Sequence, residues 1–211
     1  MSTERLIEAL VADRDTPTIT PARAVWWSVA AGGVVAAIGF FLVLDVRPDL
    51  AAVLLSWRFL TKAAFVFALI GVAIGEVVAR SRPDARPDLR TWTLLPVAVL
   101  IAGIGGEVAT QPAADLLGLG HGMHPITCLF FIAGLAAPVF VALLVALRWT
   151  APASPSACGA AAGVLAGAIG AALYSLYCTD DSPLFLATWY VLALMPLGLL
   201  GALFGGRLLR W

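Results

Sequence analysis

Tyr174-Ser175-Leu176-Tyr177-Cys178-Thr179-Asp180-Asp181-Ser182-Pro183-Leu184-Phe185 is the stretch that decides the fold. An apolar run rich in alanine and glycine leads into it, and a second apolar run leaves it. The reversal takes about five residues, the length of a tight connection between antiparallel helices. Two adjacent carboxylates, Asp180 and Asp181, cannot rest deep in lipid, so the turn is read as a hairpin exposed to water on one side of a membrane. Cys178 stands at the lip of the first helix, beside those carboxylates.

The rest of the chain fits this reading. Of 211 residues, 61% are hydrophobic and only 12% charged, where a soluble domain carries roughly 25% charge. Mean hydropathy is +0.96. The expected fold is all-α: a polytopic membrane bundle with room for about six spans of ~20 residues. Uninterrupted apolar runs place them near Trp26–Leu44, Trp57–Val78, Thr93–Thr110, Ile126–Leu147, Cys158–Tyr177 and Leu184–Gly205. Residues 26–211 would form this transmembrane domain. Pro96, Pro138 and Pro196 fall inside spans, where neighbouring helices can absorb the lost hydrogen bonds. The spacings Gly159/Gly163/Gly167 and Gly201/Gly205 read as faces for close helix packing.

Residues 1–25 are the longest polar stretch and form a separate segment. Scattered charges and the lack of an apolar core exclude a secretory signal peptide. Ser2 or Thr3 can cap a short helix running to about Asp13. On it Leu6, Ile7, Leu10 and Val11 share one face. That face suits a partner's groove, although an interfacial helix or a frayed tail is compatible with the same pattern. Asp15, Pro17 and Pro21 then end the helix.

Arginine counts set the orientation. Arg5, Arg14, Arg23, Arg80, Arg82, Arg86, Arg90, Arg148, Arg207 and Arg210 fall on one side, against Arg47, Arg58 and Lys62 on the other. The excess of positive charge predicts that both termini are cytoplasmic. Zero formal net charge gives no reason to expect nucleic-acid binding.

On that topology Cys128 and Cys178 lie at similar depth on the outer face, and Cys158 lies a membrane thickness away. Two outer thiols can form a disulfide, bind a soft metal or be oxidised, and cysteine is also a common small packing residue. His121, His124, Glu107 and Asp115 share that face without a recognisable ligand spacing, so a divalent metal would be held only transiently and no resident cofactor is expected. Lys62, four residues after Arg58, either snorkels outward or pairs with Glu107. Glu76 is expected at the inner interface. No phosphate loop or catalytic triad is present.

Taken together, Tyr177-Cys178-Thr179-Asp180-Asp181-Ser182-Pro183-Leu184-Phe185, Trp189, the Leu6-Ile7-x-x-Leu10 opening and the ending Gly206-Arg207-Leu208-Leu209-Arg210-Trp211 resemble the NrsF family of bacterial transmembrane anti-sigma factors. Tyr177 stands where that family often carries histidine. The resemblance implies a protein of the bacterial inner membrane. It would hold an extracytoplasmic-function (ECF) sigma factor away from RNA polymerase and release it under heavy-metal or oxidant stress. It implies sensing through Cys128 and Cys178, a transient metal on those two thiols, and sigma binding by the segment that carries Leu6, Ile7, Leu10 and Val11. It implies no enzyme. Two rival classes share some features. A membrane thiol-disulfide oxidoreductase would need a CxxC or a second cysteine pair, and a small transporter would be favoured by inverted repeats; neither sequence feature is found.

Overall fold

A computed structural model describes Thr3, Arg5 and residues 20–83, 90–112 and 125–210. The face carrying Leu6, Ile7, Leu10 and Val11 lies outside the described residues, as do Asp115, His121 and His124. The described regular structure is helical: α1 (Pro21–Val43), the single turn α2 (Leu50–Val53), α3 (Trp57–Arg80), α4 (Arg90–Thr110), α5 (Pro125–Leu147), α6 (Pro155–Tyr174) and α7 (Pro183–Leu208). Six of these are long and apolar enough to cross a membrane, in the places expected from the apolar runs.

Their boundaries follow from local chemistry. Pro21, Pro155 and Pro183 open α1, α6 and α7, where the missing N–H costs no hydrogen bond. Ser56 caps α3 by accepting from the Phe59 N–H at 3.2 Å, and Ser182 caps α7 by accepting from Leu184 N at 3.2 Å. The first span thus begins at Pro21 and not at Trp26, because proline at the first helical position starts a helix as readily as it ends one. Over Leu186–Tyr190, α7 widens into a π-helical turn, a local irregularity that recurs at functional sites.

The bundle is built round α6. It packs against α7, α5 and α3, with α1 laid on α5 and α4 on α3. More than half of α6 is buried (56% of its most apolar window) against 17% for α4, so α6 is the core helix and α4 an edge. The glycine spacing explains how α6 and α7 come so close. A Cβ on Gly159 would strike the Gly201 carbonyl, and one on Gly163 the Leu197 carbonyl. A Cβ on Gly205 would sit 2.6 Å from the Pro155 carbonyl oxygen. Small residues let backbones approach where lipid supplies no hydrophobic drive between helices. Facing outward, Phe41, Leu42, Phe67, Phe130, Val141 and Leu199 are all more than half exposed. An apolar coat over several helices is far larger than a soluble monomer tolerates, and suits a lipid surroundings.

Candidate functional site

At the end of the bundle where α6 turns into α7, the backbone of residues 175–182 becomes an anchor for charge. Lys62, six residues into α3, is fully buried. Its ammonium donates to the Cys178 carbonyl (3.1 Å), the Asp180 carbonyl (3.0 Å) and Asp181 Oδ1 (3.0 Å). All three protons are therefore used. Arg47, in the connection after α1, is 5% exposed. It grips Asp49 with two parallel bonds of 2.7 and 2.8 Å, and its remaining Nη1 donates to Asp181 Oδ2 (2.8 Å) and to the Cys178 carbonyl (3.0 Å). Asp181 thus gives one oxygen to each cation, and the Cys178 carbonyl accepts from both. The paired carboxylates raise the Arg47 pKa, Asp49 by hydrogen bonding first. Arg47 in turn holds the Asp49 carboxyl below its ordinary range.

A second cluster ties α4 to the start of α7. Glu107 is fully buried, and its Oε2 accepts from Ser182 Oγ (2.6 Å) and Leu184 N (3.2 Å). A carboxylate here complements the positive end of the α7 dipole. Its other oxygen lies 3.2 Å from Arg58 Nη2 without hydrogen-bond alignment, a contact of charge alone. Arg58 also lies over the Trp57 ring, 5.6 Å from its centre.

Expectation and geometry part company here. Lys62 neither snorkels nor meets Glu107; it turns inward to Asp181. The acidic turn is exposed at Tyr177 and Thr179 but turned inward at Asp181, whose side chain is only 10% exposed, and at Cys178, which is buried. The cause is that two cations from other segments arrive with their own demand for carbonyl and carboxylate oxygen. Glu76 meets Arg80 at 2.6 Å, one helical turn away at the far end of α3.

The thiols lie directly beneath this lattice. Cys128, in the first turn of α5, and Cys178 are brought together as hydrogen-bonding partners, although 50 positions separate them. Both are buried thiols outside any disulfide, as is Cys158 at the other end of α6. Cys128 shares a 3.3 Å hydrogen bond with the Tyr174 hydroxyl. Cys178 Sγ lies 3.7 Å from the Asp180 carbonyl. The hydrogen bond from Cys128, and then the positive charge of Lys62, draw the Cys178 thiol below its ordinary range. Aromatic rings wall the pair: Tyr174 lies 5.8 Å from Tyr177, 6.2 Å from Phe131 and 6.4 Å from Tyr190 between ring centres. Tyr190 comes from the π-helical turn, and its hydroxyl is buried without an aligned hydrogen-bond partner. Among the described residues no group of three or more His, Cys, Asp or Glu is arranged to hold a metal. A dithiol with no third ligand can bridge a soft metal or close to a disulfide.

A profile described as "Negative regulator of sigma F" (NrsF) matches residues 10–211. The chain belongs to the NrsF family. Over their full lengths, the chain is 35% identical to the anti-sigma-F factor NrsF of Caulobacter vibrioides and 33% identical to a probable anti-sigma-F factor NrsF of Azospira oryzae. No solved structure matches it. Sequence reasoning had named Cys128 and Cys178 but missed Arg47, Arg58, Ser182, Tyr174 and Tyr190 as partners in this end of the family fold. For Arg47 and Arg58 a signal existed: cations on the side poorest in arginine call for carboxylates.

Proposed function

We propose that the chain is an anti-sigma factor of the bacterial inner membrane. It holds an ECF sigma factor away from RNA polymerase and releases it when Cys128 and Cys178 meet a heavy metal or an oxidant. The observation that carries this reading is full-length similarity to two proteins named as anti-sigma-F factors, with no part of either chain left over. The protein would act by binding a partner, with no turnover chemistry.

Orientation is supported by charge. The three cations at the thiol end are neutralised locally, Arg47 by Asp49 and Asp181, Lys62 by Asp181, and Arg58 by Glu107. By sequence position alone, the ten other arginines fall on the opposite side of the spans. Both termini are therefore assigned to the cytoplasm and the thiols to the outer face. The sigma-binding element is the N-terminal segment, through Leu6, Ile7, Leu10 and Val11.

Signal transmission needs a ligand that distinguishes two arrangements of the bundle. Moving a population from 1:99 to 99:1 takes about 5.5 kcal/mol of differential affinity. A metal bridge or disulfide between Cys128 and Cys178 acts on a turn that is hydrogen-bonded to α3 and, through Glu107, to α4. A change there reaches most of the bundle at once.

Co-purification in detergent, from cells expressing the sigma factor, tests the class. Wild type should retain a sigma factor, and Leu6→Asp/Leu10→Asp should lose it. Retention by both would move binding to the cytoplasmic loops, and retention by neither would overturn the anti-sigma reading.

A further inference from the structure

A cavity of about 430 Å³ opens beside the thiols, lined by Asp45, Arg47, Thr127, Tyr174, Cys178 and Asp180 among others. It reaches Cys178. Cys128 does not line it; that thiol is 1% exposed and lies behind Cys178 and Tyr174. The surrounding charge is unequal. Of the charged residues that line it, Asp45 and Asp180 stand against Arg47, whose guanidinium is engaged by Asp49, Asp181 and the Cys178 carbonyl. A cleft with an excess of one sign concentrates small ions of the other.

We propose that this cavity is the entry port for small thiol-reactive species that carry no negative charge, that Cys178 reacts first and Cys128 second, and that Lys62 is the positioning residue that presents Cys178 to the port. The proposal deepens the thiol-sensor reading above. Lys62 touches no incoming reagent. It fixes the carbonyls of Cys178 and Asp180, and so the direction in which the intervening chain holds the sulfur.

With a methanethiosulfonate reagent the step is explicit. The Cys178 thiolate attacks the sulfenyl sulfur, a mixed disulfide forms, and methanesulfinate leaves. The Cys128 sulfur then displaces the reagent's thiol from Cys178, its proton passes to that thiol, and the Cys128–Cys178 disulfide remains.

The test uses full-length protein in detergent with Cys158→Ser as background. The probes are the cationic trimethylammonioethyl and the anionic sulfonatoethyl methanethiosulfonates, read by peptide mass. Cys178 in Cys128→Ser should react at least ~10-fold faster than Cys128 in Cys178→Ser. Relative to the same reagents on glutathione, the cationic probe should be favoured by roughly 10-fold or more. Lys62→Met should slow Cys178, and Lys62→Arg should restore most of the rate. If Lys62→Met does not fold, Lys62→Met/Asp181→Asn removes both charges and carries the same comparison. Equal rates at the two cysteines, or no preference for the cation, would overturn the proposal. Failure to find a sigma factor would leave these rates untouched, so the two readings fail separately.

Discussion

Cys158 and Cys178 stand at opposite ends of the same stretch of chain, and the two ends are built on different principles. Around Cys158 the cohesion is steric and local. Gly159, Gly201 and Gly205 bring two backbones together, and an ion pair described at that end, Glu76 with Arg80, spans one turn of a single helix. Around Cys178 the cohesion is polar and non-local. Arg47, Lys62, Glu107 and Asp181 come from four segments and meet on one turn. Local packing resists change at one place. A shared polar lattice links distant segments, so a change at its centre is felt by all of them. The sensing role proposed for Cys178, and not for Cys158, rests on that contrast.

The largest effect expected from this contrast comes from breaking the lattice. Asp181→Ala removes the carboxylate that pairs with buried Lys62, and should destabilise the protein by about 3–5 kcal/mol. Glu76→Ala, which breaks a partly exposed pair within one helix, should cost about 0.5 kcal/mol or less. Thermal unfolding in detergent checks both, and similar losses would erase the distinction.

Next in size is the glycine interface. Gly163→Val places a side chain where the Leu197 carbonyl already lies, and should cost about 1–3 kcal/mol or more. Gly33→Val meets nothing within 4 Å and is the matched control. The same unfolding assay, with the two variants equally stable, would argue against close α6–α7 packing.

How much of this was legible in the sequence depends on the kind of force. The six spans, the α6–α7 glycine face and the pairing of Cys128 with Cys178 in depth follow from run length, spacing and parity, which are properties of a one-dimensional string. Lys62 shows the limit. Its presence in a span left open snorkelling outward or a pair with Glu107, and Asp181 was as available in the string as Glu107. The choice rests on which helix faces which, since α6 packs directly on α3 and carries Asp181's turn to the Lys62 ammonium. Tyr190 was legible only as an apolar-span residue, because nothing in Leu186–Tyr190 announces a π-helical turn.

A smaller effect is set by acid. The Asp49 pKa is lower in the folded state than its unfolded value near ~3.9, so the Arg47–Asp49 pair contributes stability above that value and loses it as pH falls through the depressed folded pKa. Wild type should therefore exceed Asp49→Asn in melting temperature near neutrality, with the gap closing below about pH 4. A gap that persists or widens in acid would contradict the pairing. Smallest of all, Cys158→Ser should leave stress-induced release unchanged, as read by reporter induction in cells; loss of induction would move sensing to the wrong end.

The most direct test of the account is release of a bound sigma factor from the purified complex on adding a soft divalent metal or a thiol oxidant. Wild type and Cys158→Ser should release it, and Cys128→Ser and Cys178→Ser should not. Release that proceeds equally in all four proteins would contradict the claim that the paired thiols at the polar end are the sensor.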